Sequence, residues 1–514
     1  MRSMRGLLHP VRKIPHDIWR MIFLELQGQT LAGRSSIPSY SMTGRLRGET
    51  IREAQTLAAT LVLVSKKWRD TAENIPQLWR FIHAHLTSDL TSDRISTATE
   101  RLQRIRMRYN QGFVPTVLFD VYVRLGPDVA RDGRFEDFLI QLNFVCQHSR
   151  ACELAVSDSI GDFCDSYLSR WFDRDTEYLE ILCLTAGSST MQSPRRLPPL
   201  ASQYSRTNYK KLFPTCPRLR SVQLGNFPVD LYASATFARE ATNLKHVELW
   251  RSGDATGDEL LTTLKLCPST PAITWNVHSA LELESAPALC HTALRCLKLT
   301  IWNAFAVDFA IGLTLPNLER INFDGSETVR LRGFGDAIAS FLDRVCPNVS
   351  SVTINCYDVE SSITRTLRAL LRLRSLQILV SILTDDALFE PDSPNALSPF
   401  PALEQLIIDD TACARGFTGR PLMEFIRARF KKSTDWQSHT LSSAPHAAVP
   451  HLKRVFVALE EDEFSDATNE DLIETWKAEY LDIVGDQDMR PEYSPTDDLD
   501  QLEQEFMVYK PWGE

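Results

Sequence analysis

His83 and His85 stand two residues apart. On a strand, that spacing puts both imidazoles on one face. Two imidazoles can relay a proton or begin a metal site, yet two ligands are too few to hold an ion. Cys290 and His291 are the residue types of a thiolate–imidazole pair. Such pairs are set by space and not by adjacency, and Cys290 precedes a predicted strand, so it reads as a packed thiol. The acidic clusters Glu460–Glu463 and Asp497–Asp500 lack the glycine and the spacing of a calcium loop. They read as solvated charge. No phosphate-loop, dinucleotide, metalloprotease or nucleophile-elbow motif is present. The sequence therefore assigns no catalytic residue, no metal ligand and no cofactor.

The 514 residues, 43% hydrophobic, suffice for several domains or one extended array of repeats. No apolar run approaches a membrane span, and Leu7-Leu8 is too short for the core of a signal peptide. The expected location is cytoplasmic or nuclear. Eleven cysteines, none in a C-x-x-C pair, argue against disulfides or a zinc site and for free buried thiols. The net charge of −10 is unevenly spread. Residues 1–110 carry 18 Lys and Arg against 9 Asp and Glu, and residues 459–514 carry 3 against 19. The basic part suits an acidic protein better than nucleic acid, because stacking aromatics are not interleaved with it. The acidic end reads as a solvated tail. No concentrated arginine cluster is visible along the chain.

Two N-terminal segments must position any surface there. The first is Ile14-Pro15-His16-Asp17-Ile18-Trp19-Arg20-Met21-Ile22-Phe23-Leu24-Glu25-Leu26. Pro15 suits a helix start, Asp17 complements the dipole, and Ile18, Met21, Ile22 and Leu26 share a face. Trp19, Phe23 and Leu24 make the helix apolar nearly all round, so it needs neighbours on two sides. The second segment is Leu61-Val62-Leu63-Val64-Ser65-Lys66-Lys67-Trp68-Arg69, followed by Ile75-Pro76-Gln77-Leu78-Trp79. It predicts a helix with Leu61, Val64 and Trp68 on one stripe. Together the segments resemble an F-box, an adaptor-docking module. Residues 27–55, rich in Gly, Ser, Thr and Arg, exceed the usual F-box connection and are expected to be a mobile surface insertion.

The middle of the chain repeats L-x-x-L-x-L, with aliphatic or aromatic substitutes. Copies begin at Leu179, Leu219, Leu244, Leu294, Leu318, Val349, Leu373, Leu403 and Leu452, with a degenerate copy at Ile273. A proline precedes five of them by two residues, at Pro217, Pro316, Pro347, Pro401 and Pro450, and is expected to stop a helix. Candidate helices are 257–266, 334–345, 363–373 and 421–430. The array resembles irregular leucine-rich repeats. Spaced strand–helix units would also suit a doubly wound α/β domain. Upstream, a basic helix at 100–109, a strand at 114–123, a helix at 135–147 and a strand at 152–156 resemble the segment that follows the F-box in many fungal F-box proteins. They would cap the array.

The expected fold class is thus α/β: a helical F-box, then an irregular leucine-rich-repeat solenoid with parallel strands concave and helices convex. The expected domains are 1–85, the F-box; 86–175, the capping units; 176–460, the solenoid; and 461–514, the acidic tail. The resemblance implies a substrate receptor of a Skp–cullin–F-box ubiquitin ligase, without catalysis of its own. Adaptor binding would fall to Ile14, Pro15, Ile18, Ile22, Val64, Trp68, Leu78 and Trp79, with the two tryptophans as anchors. A protein substrate would meet Gln223, Glu248, Lys298, Asn322, Thr353, Gln377, Ile407 and Phe456, with Trp250 and Asp409 on the rim. The alternatives are a repeat scaffold with no ligase role and an α/β enzyme whose site carries no motif.

Overall fold

The computed structural model describes residues 14–32, 43–86, 91–110, 118–126, 129, 132–156, 176–186, 216–225, 244–250, 263–265, 267–277, 289–301, 313–325, 338–339, 341–343, 348–355, 358–359, 361–379, 382–383, 388–389, 400–413, 419–429 and 452–460. The expected acidic tail lies outside these residues, as does most of the candidate helix at 257–266. The chain divides into two compact units, Met1–Leu244 with Ser494–Glu514 and Lys245–Tyr493. Both are α/β with a parallel sheet.

The first unit opens with helices α1 (His16–Ala32), α2 (Thr43–Val64) and α3 (Lys66–Glu73), then a 3-10 turn at Pro76–Trp79. Strand β1 (Phe81–Leu86), helix α4 (Thr91–Asn110), β2 (Phe119–Leu125), helix α5 (Phe135–Gln147), β3 (Ser149–Val156), β4 (Ile181–Ala186) and β5 (Ser221–Gly225) follow. β1 to β5 pair in chain order, all parallel.

Much of the segment expected to be an insertion is helical. α1 extends to Ala32, and α2 begins at Thr43. The physical reason is a stripe of small and apolar side chains at helical spacing, masked by the polar composition around it. Ile51 and Ala54 pack on Phe81 and Tyr122, while Ala58 and Leu61 enter the core of the helical module. The single helix expected over Leu61–Arg69 is instead two. Ser65 takes extended backbone and its side chain accepts from the Trp68 N–H, capping α3. The break leaves buried Leu61 and exposed Val64 on α2 and puts Trp68 on α3.

In the second unit the main strands are β6 (His246–Trp250), β7 (Ala272–Val277), β9 (Cys296–Ile301), β11 (Arg320–Gly325), β12 (Ser351–Asn355), β14 (Ser375–Leu379), β16 (Gln405–Cys413) and β17 (Arg454–Glu460). They pair in that order and in parallel. The short strands β8 (Leu289–Cys290) and β10 (Leu313–Thr314) pair with each other, and β13 (Asp358–Val359) reaches β16 through β15 (Ile382–Leu383). Helices α6 (Ser361–Ala369) and α7 (Arg420–Arg429) match two candidate helices, although α6 stops before the expected residue 373.

The repeated leucines are the core. Leu318, Ile321 and Phe323 are at most 2% exposed, and Leu297, Ile321, Val352, Leu376, Leu406 and Val455 fall in one register row. Of the five prolines expected to stop helices, Pro347 and Pro450 lie outside the described residues. Pro217, Pro316 and Pro401 occupy the second position of tight turns, closed by Leu219 N–H to Cys216 O, Leu318 N–H to Leu315 O and Leu403 N–H to Phe400 O. A fixed φ suits that position, and no N–H is needed there. Pro268 sits in the same turn ahead of β7. Each turn delivers the chain to the sheet with a recurring bond. Arg295 N–H donates to Pro271 O, Glu319 N–H to Arg295 O, Ser350 N–H to Glu319 O and Arg374 N–H to Ser350 O.

Candidate functional site

The helical module closes on Trp19, Phe23, Ala58, Leu61, Ala72, Ile75 and Leu78. Polar contacts fix its geometry. Lys67 Nζ donates to the Ile14 carbonyl at 2.8 Å, and Thr71 Oγ1 lies 2.8 Å from His16 Nδ1, tying the start of α1 to α3. Arg69 Nε donates to Val62 O at 3.1 Å, satisfying a carbonyl at the end of α2. Trp79 Nε1 donates to Ala72 O at 2.9 Å, and Gln27 Nε2 to Leu78 O at 3.3 Å.

What the module leaves uncovered is apolar. Ile18, Met21, Ile22 and Leu26 are exposed along one face of α1, and Leu63 and Val64 at the end of α2. Met21 is 64% exposed and Leu63 77%. Neither belongs to the adaptor-binding set read from the sequence; their signal was the spacing of Met21 with Ile18 and Ile22. Of that set, Pro15, Ile18, Ile22 and Val64 are at the surface, and Ile14 is half-buried. Leu78 is fully buried and belongs to the module's own core. The expected anchors Trp68 and Trp79 are half-buried and pack inward, for the same reason: their rings complete a core too small to close without them.

The positions expected to meet a substrate fall into a register row. In the second unit, Glu248, Thr274, Lys298, Asn322, Thr353, Gln377, Ile407 and Phe456 are successive neighbours across the sheet. Trp250 and Asp409 share the row two residues on, with Asn276, Thr300, Asp324, Asn355 and Leu379. Gln223 holds the matching place in the first unit, beside Cys183 and Glu153. The row is only partly open. Thr353 and Ile407 are buried, and Gln223, Glu248, Lys298, Asn322, Gln377, Asp409 and Phe456 are half-buried.

Charge is organised on this face. Asp324 Oδ2 lies 4.0 Å from Lys298 Nζ, and Asp324 Oδ1 accepts from Asn355 Nδ2 at 3.0 Å. Asn322 Oδ1 is buried without a hydrogen-bond partner. His246 is enclosed, with Nε2 3.1 Å from Thr274 Oγ1, and burial beside Lys298 lowers its pKa to about 4. The sequence singled out neither Asp324 nor Asn355; the pair exists only through strand register.

Cys290 is exposed and not a packed thiol, because β8 is a two-residue strand paired on one side. The neighbouring His291 is buried and braces a turn, Nε2 at 3.0 Å from Cys267 O and Nδ1 accepting from Leu294 N–H at 3.1 Å. Its nitrogens are therefore committed away from the thiol. Cys146, Cys152, Cys183, Cys216, Cys267 and Cys296 are free and buried. Among the described residues no group of three or more His, Cys, Asp and Glu could hold a metal ion, and no helix is long and apolar enough to cross a membrane. An α/β chain with parallel sheets and a helical module carrying an uncovered apolar face is the class that fold and surface define. No family model matches the chain, and no curated protein matches its sequence.

Proposed function

We propose that this chain is the substrate receptor of a Skp–cullin–F-box ubiquitin ligase, with residues 14–79 as the F-box and the repeats as an irregular leucine-rich-repeat solenoid that holds a protein substrate. The observation that carries the reading is the division of apolar residues in the helical module. Trp19, Phe23, Leu61 and Leu78 already close its core, and Ile18, Met21, Ile22, Leu26, Leu63 and Val64 are left outside. Exposed apolar side chains clustered on so small a module are the mark of an interface. The substrate would meet the register row around Lys298, Asn322 and Asp324, where a buried carbonyl oxygen awaits a donor.

The test is a pull-down of the full chain with a purified Skp adaptor, comparing wild type with Met21→Asp and Val64→Asp. Both substitutions fall on exposed positions and leave the core intact. Wild-type capture with loss in both variants supports the receptor. A folded wild type that captures no adaptor overturns it and leaves a repeat scaffold without a ligase role.

A further inference from the structure

Four packed elements of the first unit carry basic side chains on and around β1. On β1, His83 and His85 share a face, their ring centroids 6.5 Å apart. The register sets Tyr122 of β2 beside His83 and Arg124 beside His85, and the His83 and Tyr122 rings stack 5.1 Å apart with planes 6° from parallel. α2 and α4 both pack on β1. From α2 come Arg52 and, three residues on, Gln55, whose Oε1 accepts from the His83 backbone N–H at 2.6 Å. From α4 come Arg94 and Arg101, seven residues apart and so on one face.

Arg101 and Arg124 are half-buried without the partners that such cations normally have. Among the described residues no carboxylate forms an ion pair with Arg52, Arg94, Arg101 or Arg124, and Arg101 Nε is buried without a hydrogen-bond partner. A half-buried guanidinium without a counter-charge is costly. Everything that acts on the two imidazoles pushes against protonation: burial first, then the other ring, Arg52 and Arg101 for His83, and Arg124, Arg94 and Arg52 for His85. Burial alone lowers Arg101, to about 10. So positive a site repels metal cations, and an anion would relieve each of these costs at once. Guanidinium groups supplied by separate elements suit the several acceptor oxygens of a tetrahedral phosphoryl anion better than a single carboxylate.

We propose that α2, β1, β2 and α4 frame a binding site for a phosphoryl group, with half-buried His83, Arg101 and Arg124 inside and exposed Arg52, Arg94 and His85 at the rim. The site shares no residue with the adaptor-docking face, although α2 carries part of each.

The experiment is calorimetric titration of the full chain at neutral pH and constant ionic strength, with inorganic phosphate, O-phosphoserine and acetate as probes. Wild type binds a phosphoryl probe saturably and acetate far more weakly. Arg52→Gln and Arg101→Gln each weaken binding roughly tenfold or more, the loss of a charged hydrogen-bond donor. Arg104→Gln, whose side chain is exposed and paired with Glu100 at 3.3 Å, binds as wild type does. Arg101→Gln also melts higher than wild type in phosphate-free buffer, because an unpaired buried charge is gone. Should Arg101→Gln fail to fold, the exposed Arg52→Gln decides. Tighter binding of O-phosphoserine than of phosphate marks an ester as the source, and the reverse marks the free ion. A folded wild type that binds no phosphoryl probe overturns the proposal, as does acetate binding equal to phosphate or unchanged affinity in Arg52→Gln.

Discussion

The indole of Trp68 lies 4.8 Å from that of Trp19 and 5.2 Å from the ring of Phe23, the latter edge to face. The three rings join α1 to α3 within the core of the helical module. Truncating Trp68 therefore removes packing before it removes any surface. Trp68→Ala is expected to destabilise the first unit by about 3–5 kcal/mol. Val64→Asp, four residues earlier and exposed, is expected to shift stability by no more than ~0.5 kcal/mol. Urea unfolding of both variants, followed by tryptophan fluorescence, checks the contrast. Equal stability of the two would mean that Trp68 is not a core residue.

Acid should act on the second unit through His246. The folded state holds this imidazole at about 4, below its ordinary 6.5, because burial beside Lys298 favours the neutral form. Between those values the unfolded chain binds a proton that the folded chain refuses, so stability rises with pH there. The contribution is intact above about 6.5 and is lost as pH falls toward about 4, by at most roughly 3 kcal/mol. His246→Gln offers Thr274 an amide in place of the ring and cannot titrate. Its stability should change less than wild type across this window in a pH series of urea unfolding. An unchanged slope in the variant would exclude His246 as the source.

The sequence displayed the leucines of the sheet because each must repeat its own spacing to fill a shared core, and the strands lie where those leucines lie. It also showed the apolar face of α1, through Ile18, Met21, Ile22 and Leu26. It concealed α2, whose buried stripe uses Ile51, Ala54 and Ala58 among polar residues that read as loop. It did not show that Pro217, Pro316 and Pro401 take the second position of turns, because a residue with fixed φ and no N–H suits a helix stop and that position equally. The arginine cluster was invisible for a different reason. Arg52, Arg94, Arg101 and Arg124 are scattered over three elements, and only parallel pairing of β1 with β2, under α2 and α4, brings them near one another. The Lys298–Asp324 pair is concealed in the same way, each residue unremarkable on its own strand.

Arg429 fixes the turn that leads into β16. Its guanidinium donates to the carbonyls of Phe400, Pro401 and Leu403, the last at 2.8 Å, and its carbon lies 5.3 Å over the Phe425 ring. Phe400 needs that support, because its φ of 55° is a left-handed conformation that a bulky residue adopts at a cost. In return its ring packs with Phe389 and Phe425 in the core. Arg429→Met keeps much of the buried stem but leaves these carbonyls without the fork. It should destabilise the second unit by about 2–4 kcal/mol. Arg429→Lys should recover only part of this, since one ammonium cannot reproduce the planar geometry. Hydrogen exchange of the Leu403 and Gln405 amides reads the effect locally: both should exchange faster in Arg429→Met, while the β1 and β2 amides of the first unit stay as protected as in wild type. Faster exchange throughout both units would mean global destabilisation and not the release of this turn.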